Sequence, residues 1–224
     1  MSDRVLFLTG ASSGIGAATV RAAVDAGWSV GMMARSEDKL AEMASEFGAS
    51  VLALPGDATD YEQQVEAIGR TVRHFGKLDA AYANAGTGLS SAGTENGDTD
   101  EWHQMIHINV LGVLWTAKAA MPHLKRTQGH MVMTGSAAGR RHIAGSVYGA
   151  SKWFVRGYGG NLAAEMKEWG GRCTVIAPGM VDTPFFDEGK PDKLQSQDVA
   201  NAVVYALDQP AHVNVNEIFL TPTD

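Results

Sequence analysis

Tyr148 and Lys152 stand four residues apart in Tyr148-Gly149-Ala150-Ser151-Lys152, a spacing that puts both side chains on one face of a helix. A phenol titrates near ~10 in water, so acid–base work at neutral pH requires its anion to be stabilised. An ammonium alongside lowers the phenol's pKa. A lysine stem packed along a tyrosine ring gives the same spacing without any chemistry. Two further polar residues sharpen the pair. Ser136, in Thr134-Gly135-Ser136-Ala137-Ala138-Gly139, follows an apolar run, and Asn109 stands in Ile108-Asn109-Val110-Leu111-Gly112.

A second constellation lies near the start. Thr9-Gly10-Ala11-Ser12-Ser13-Gly14-Ile15-Gly16 follows the first apolar run and opens a helical segment. Phosphate binding there needs close backbone N–H groups and the positive end of a helix, and side chains at Gly10, Gly14 or Gly16 would block the approach. The segment is therefore expected to hold a dinucleotide through Gly10, Ser12, Ser13, Gly14, Ile15 and Gly16. Its G-x3-G-x-G spacing departs from the G-x-G-x-x-G fingerprint, and an ordinary glycine-rich turn is the plain alternative.

Where a dinucleotide fold selects NAD, an acidic residue after the second strand holds the ribose, whereas an arginine accommodates a 2′-phosphate. Here the run ends Met33-Ala34-Arg35, which favours NADP(H) over NAD(H). Glu37 and Asp38 fall in the next helix's first turn, where acidic residues are expected for the dipole. Asp57 and Ala58 follow the third run and Asn84, Ala85 and Gly86 the fourth. Both groups stand at the ligand-binding edge of an open sheet, with Asp57 read either as an acceptor for adenine or as a turn residue.

These residues must be positioned by elements. Seven continuous apolar runs are expected strands: Val5–Leu8, Ser29–Met33, Val51–Leu54, Leu78–Ala81, His130–Met133, Thr174–Ala177 and Glu217–Leu220. Between them lie helical segments at Ile15–Ala26, Asp38–Phe47, Tyr61–Phe75, Trp102–Lys125, Tyr148–Trp169 and Gln197–Leu207, with a kink expected at Pro122. Gly27, Gly48, Gly76 and Gly170-Gly171 read as helix stops. Strand and helix in alternation predict an α/β, doubly wound Rossmann fold, with a seven-stranded parallel sheet and helices on both faces. Thr87–Asp100 and Met180–Ser196 read as loops.

Composition agrees with one dinucleotide-binding and catalytic domain spanning 1–224. Eighteen Lys and Arg against 25 Asp and Glu leave a net charge of −7, which argues against nucleic acid and anionic membrane as partners. The single Cys173 rules out a disulfide framework. The start, Met1-Ser2-Asp3-Arg4 and a short apolar run, lacks the features of a signal peptide, and a cytoplasmic location is expected. His103 and His107 have zinc-compatible spacing but lack a third ligand. Arg140, Arg141 and His142 precede Tyr148 and would suit either a substrate carboxylate or a solvated rim.

Taken in order, these motifs resemble the short-chain dehydrogenase/reductase family over nearly the whole chain. Its TGxxxGxG segment is similar to Thr9–Gly16, its NNAG segment to Ala83–Gly86, and its Asn, Ser and YxxxK tetrad to Asn109, Ser136, Tyr148 and Lys152. Its PG segment matches Pro178-Gly179, followed by Val181 and Thr183. The resemblance implies hydride transfer between NADP(H) and a carbonyl or secondary alcohol of a small molecule. Tyr148 would exchange the proton and Ser136 would hydrogen-bond the substrate oxygen. Lys152 would lower the Tyr148 pKa and hold the cofactor ribose, which Tyr148 also adjoins, and Asn109 would fix a water next to Lys152. Pro178, Gly179, Val181 and Thr183 would cradle the nicotinamide.

A homo-oligomer, dimer or tetramer, is expected through Trp102–Lys125 and Tyr148–Trp169. The tail from Asn214 resembles the branch acting on 3-hydroxy acids and β-hydroxy amino acids. Met180–Ser196 is short for a family that often carries a lid there, implying an open or small site. A redox-sensing binding protein that has lost catalysis, and an NAD-using epimerase or dehydratase on this scaffold, are the alternatives.

Overall fold

The computed structural model describes residues 4–91, 93–186 and 188–223. Met1-Ser2-Asp3, on which the reading of the start rests, lies outside the described residues, as do Ala92 and Asp187 of the two loops. Strands β1 (Arg4–Thr9), β2 (Trp28–Ala34), β3 (Val51–Pro55), β4 (Ala80–Ala83), β5 (His130–Thr134) and β6 (Arg172–Pro178) belong to one sheet. Two short strands, β7 (Val181–Asp182) and β8 (Leu194–Gln195), pair with each other, and β9 (Glu217–Leu220) completes the main sheet. Its order is β3-β2-β1-β4-β5-β6-β9, parallel at every pairing.

The helices are α1 (Gly14–Asp25), α2 (Glu37–Phe47), α3 (Tyr61–Phe75), α4 (Thr99–Ile106), α5 (Val113–Thr127), α6 (Val147–Lys167) and α7 (Ser196–Leu207). Successive side chains of a strand point to opposite faces, so a strand covered on both sides must be apolar throughout. In β1, Val5 and Phe7 join a core with Ile68 of α3, Leu124 of α5 and Leu162 of α6. Leu6 and Leu8 join the opposite core, with Val20 of α1, Leu40 of α2 and Val203 of α7. The expected doubly wound Rossmann architecture is the one observed. Because the chain leaves β1 toward β2 and later returns to β1's other side as β4, a crevice opens at the carboxyl ends of these strands, where such sheets bind ligands.

Several expectations shift. β4 begins at Ala80 rather than Leu78, because Asp79 is fixed first: its carboxylate accepts from Val5 N at 2.8 Å and its carbonyl from His130 N at 2.9 Å. No break occurs at Pro122, which lies inside a continuous α5. The irregularity falls instead at His107–Gly112, a widened π-helical turn joining α4 to α5 and containing Asn109. Gln64 Nε2 donates to Gly112 O at 3.1 Å there, so a buried side chain satisfies a carbonyl of that turn. Asp98 caps α4 by accepting from Asp100 N and Glu101 N, which starts that helix three residues before Trp102. The ribbon of β7 and β8 was not anticipated; two-residue strands carry no periodicity to read.

Candidate active site

The loop after β1 turns through Gly10 and Gly14, both at positive φ (70° and 49°), and enters α1 at Gly14. A methyl group on Gly16 would collide with the carbonyl oxygen of Gly10, so only glycine lets the helix start against the loop. No side chain caps α1 and no acidic residue stands in its first turn, which leaves its initial N–H groups and positive dipole end available to an anion. Ser12, Ser13 and Ile15 line this turn.

Asn84 braces the loop from β4. Its Nδ2 donates to Thr9 O at 3.1 Å, while Asn84 N and Ala85 N both donate to Thr9 Oγ1 at 3.2 Å. The side chain read as a nucleoside contact is thus committed to holding two loops together. Asp57 is similarly engaged: its Oδ1 accepts from Thr59 N and Thr59 Oγ1 at 2.8 Å, the turn-residue arrangement. Ala58 is buried beside it, and its carbonyl accepts from Gln64 at 2.7 Å. Arg35 is exposed at the carboxyl end of β2, and no ion pair or hydrogen bond of its side chain occurs among the described residues.

At the other side of the crevice, Ser146 caps α6 by accepting from Gly149 N, so the helix begins just before Tyr148. One turn on, Lys152 is buried; its Nζ donates to the carbonyl oxygen of Thr134 at 2.9 Å, at the end of β5, and lies 5.7 Å from the Tyr148 ring centroid. Burial lowers the Lys152 ammonium to about 8. Ser136, just past β5, accepts from Ala138 N at 3.1 Å, and its hydroxyl is close enough to the Tyr148 phenol to act on its titration. The Tyr148 phenol is raised above its ordinary value by burial, with the Ser136 hydroxyl opposing. That differs from the depression expected from Lys152 alone: its ammonium is held by a backbone carbonyl and faces the ring.

Asn109 completes the group from the π-helical turn. Its Oδ1 accepts from Thr87 N and its Nδ2 donates to Thr87 O, both at 2.9 Å, with Ser151 Oγ 3.3 Å away. The amide therefore pins the loop after β4 to α6. A side chain on Gly86 would lie 2.9 Å from Asn109 Oδ1 and 3.8 Å from Lys152 Nζ, so the glycine lets the loop after β4 pack closely on Asn109 beside the lysine. Pro178 ends β6, and Gly179 N donates to Leu220 O at 2.8 Å. Val181 is buried, and the Thr183 methyl faces Gly14, bringing the loop after β6 against the glycine-rich turn.

Sequence reasoning missed Phe185. Its ring centroid lies 5.8 Å from that of Tyr148, and a side chain on Gly88 would meet its Cζ at 2.8 Å. Two adjacent aromatics following Pro184 in a loop were the available signal. Of the two readings for Arg140, a substrate carboxylate or a solvated rim, its pairing favours the rim: it pairs with Glu217 at 2.5 Å and covers the Phe219 ring, and His142 stacks on Trp153 at 5.6 Å. His107 meets Trp115 edge-on at 5.1 Å, and no group of three metal-ligating side chains occurs among the described residues. Cys173 is buried, which pushes its thiol up to about 12.

Residues 4–194 match the family described as short chain dehydrogenase. The chain belongs to that family. An uncharacterized oxidoreductase of Staphylococcus saprophyticus is 39% identical, covering 99% of this chain and 98% of the relative. Among solved structures, an alcohol dehydrogenase from the archaeon Thermococcus sibiricus, complexed with 5-hydroxy-NADP, superposes with a TM-score of 0.91 at 33% identity, covering 98% of this chain and 97% of that one. Serine dehydrogenase from Escherichia coli superposes with a TM-score of 0.89 at 29% identity, covering 97% of each. This short-chain dehydrogenase is thus an oxidoreductase of the type that works with NAD(H) or NADP(H). No helix among the described residues is long and apolar enough to cross a membrane.

Proposed function

We propose that the protein reduces the carbonyl of a small molecule, or oxidises the corresponding secondary alcohol, with NADP(H) preferred over NAD(H). The observation that carries this reading is Tyr148, whose ring lies 5.7 Å from buried Lys152 Nζ with Ser136 acting on its phenol, at the edge of the sheet where the glycine-rich turn opens. The turn suits a dinucleotide, with two glycines at positive φ, a third that admits no Cβ, and an uncapped helix start. Gly10, Ser12, Ser13, Gly14, Ile15 and Gly16 would hold the pyrophosphate, and Asp57, Ala58, Asn84, Ala85 and Gly86 would flank the nucleoside. Lys152 would reach the ribose, and Pro178, Gly179, Val181 and Thr183 would border the nicotinamide. When bound, the cofactor would supply or accept the hydride.

The chain's own residues then handle the oxygen. Tyr148 donates its proton to the carbonyl oxygen in reduction and takes it back in oxidation. The Ser136 hydroxyl donates to the same oxygen and favours the charge that builds on it. Lys152, held by Thr134 O, keeps a cation next to the phenol and Asn109 keeps the neighbouring loop in place. Arg35, exposed and following Ala34 rather than an acidic residue, supports the 2′-phosphate; so does the NADP-type ligand carried by the Thermococcus sibiricus relative. Ile106, Leu111 and Trp153, exposed on α4, the π-helical turn and α6, support a homo-oligomer, which light scattering would measure.

NADPH oxidation followed at its absorbance, with a panel of aldehydes and ketones, tests the reading. Net NADPH consumption is expected, which neither a redox sensor nor an internally recycling epimerase would give. Tyr148→Phe should abolish turnover while retaining NADPH binding; retained turnover would remove Tyr148 from its role.

A further inference from the structure

We infer that the substrate presents an uncharged, flat apolar substituent, an aryl group on the carbonyl carbon, to a wall formed by the Phe185 ring, which packs on Gly88. The inference rests on the carbonyl-reductase reading and specifies its substrate.

Three loops meet around Tyr148. From β4 comes Gly88, whose missing side chain makes room for the Phe185 ring. From β5 comes Gly145, where an added Cβ would lie 2.7 Å from Gly93 Cα, so the loops after β4 and β5 touch backbone to backbone. From β6 comes Phe185, tilted 56° to Tyr148 at 5.8 Å and itself edge-on to Phe186 at 5.2 Å. Phe185 stays 44% exposed, so an aromatic face is presented at the mouth of the site rather than spent in the core. Its backbone is held by a turn in which Phe185 N donates to Thr183 Oγ1 at 3.3 Å and Phe186 N to Thr183 O at 3.2 Å. The ring fills the space over Gly88, so a flat apolar group would lie against its exposed face; a carboxylate there would lose its water without a partner.

Several nearby charges are taken up elsewhere, while Arg141 stays exposed on the loop before Tyr148. Arg140 is paired with Glu217, and Glu101 accepts from both Ser90 and Ser91 through their backbone and hydroxyl groups. Lys152 is buried, donates to Thr134 O and is assigned to the cofactor ribose. This weighs against the hydroxy-acid branch that the tail resembles.

The test compares acetophenone with a 3-oxo carboxylate, using the full chain with NADPH. Acetophenone is expected to have at least a tenfold higher kcat/KM. Phe185→Ala should cut the acetophenone to propanal kcat/KM ratio about tenfold, chiefly through KM, and Phe185→Leu should restore part of it. An unchanged ratio in Phe185→Ala, or preference for the 3-oxo carboxylate, would overturn the inference, and loss of that preference in Arg141→Ala would name the residue responsible. Saturation-transfer NMR of acetophenone with the NADP+-loaded protein gives a reading independent of turnover. Binding that Phe185→Ala weakens supports the inference even if no hydride moves, in which case only the carbonyl-reductase reading fails. Absence of binding, or binding insensitive to Phe185, overturns the inference.

Discussion

Strand β5 has a buried base at each end. At its start, His130 is 1% exposed; its Nε2 lies 2.7 Å from Thr174 Oγ1, whose hydroxyl donates to Val215 O at 2.5 Å, while Nδ1 has no partner among the described residues. At its end, the Thr134 carbonyl accepts from buried Lys152. Burial lowers both bases, Lys152 to about 8 and His130 to about 3, the Arg172 charge adding at the histidine. Lys152 therefore remains charged at neutral pH and His130 remains neutral. Equal burial thus has unequal outcomes, because an ammonium starts four units higher and has a carbonyl to donate to. Only the lysine stands at the ligand edge of the sheet.

Removing the lysine's charge should have the largest effect. Lys152→Met is expected to lower kcat about 10²–10⁴-fold, the usual range for a general acid–base system, with thermal stability unchanged or higher because a buried charge is gone. Steady-state kinetics with a melting curve check both, and comparable losses in the two would reduce Lys152 to a packing role. Since its folded pKa is about 8, activity that depends on the ammonium should fall above that pH. Stability has the opposite trend: the folded state binds fewer protons than an unfolded lysine titrating near ~10.4, so ΔG rises between these values and the penalty is complete below pH 8.

His130 should instead govern acid stability. Its folded pKa lies below its unfolded value near ~6.5, so the unfolded state takes up the proton first. Stability is full above the unfolded value and falls toward pH 3, at up to about 1.4 kcal/mol per pH unit and on the order of several kcal/mol in all. Urea melts across that range should show a shallower slope in His130→Gln than in the parent, with activity at neutral pH unaffected. An identical slope would mean that another group titrates there.

Arg35 offers an exposed counterpart to these buried cations. Arg35→Ser should weaken NADPH about tenfold or more, the loss of a charge-assisted hydrogen bond, and leave NADH nearly untouched. Fluorescence titration of both cofactors decides it; equal weakening would end the 2′-phosphate assignment.

The sheet was legible because continuous apolar runs and glycine stops are local. Tyr148 and Lys152 were legible for the same reason, four residues on one helix. What could not be read was whatever depends on a partner far along the chain. Arg140 is visible as a cation, but Glu217, which holds it, is 77 residues away. Thr134 accepts from Lys152 through a carbonyl, which every residue has. Asn109 was found by motif, yet its two bonds to the Thr87 backbone depend on the π-helical turn, which no residue type announces. Alanines at β4 gave little strand signal, and that shifted the expected boundary.

Thr134 allows the finest division of the comparison, because its backbone and side chain do different jobs. The carbonyl holds Lys152, while Oγ1 lies 2.7 Å from the hydroxyl of buried Tyr82 and 3.2 Å from Asn84 Oδ1. Burial already raises the Tyr82 phenol, so it stays protonated and needs a partner. Thr134→Val keeps the shape and the carbonyl but leaves that hydroxyl unpaired, at a cost of about 1–3 kcal/mol. Turnover should fall by no more than a few-fold, through loosening of Asn84 and the glycine-rich turn it braces, and the alkaline limb near pH 8 should not move. A shifted limb would show that the Thr134 side chain, and not only its carbonyl, sets the charge of Lys152.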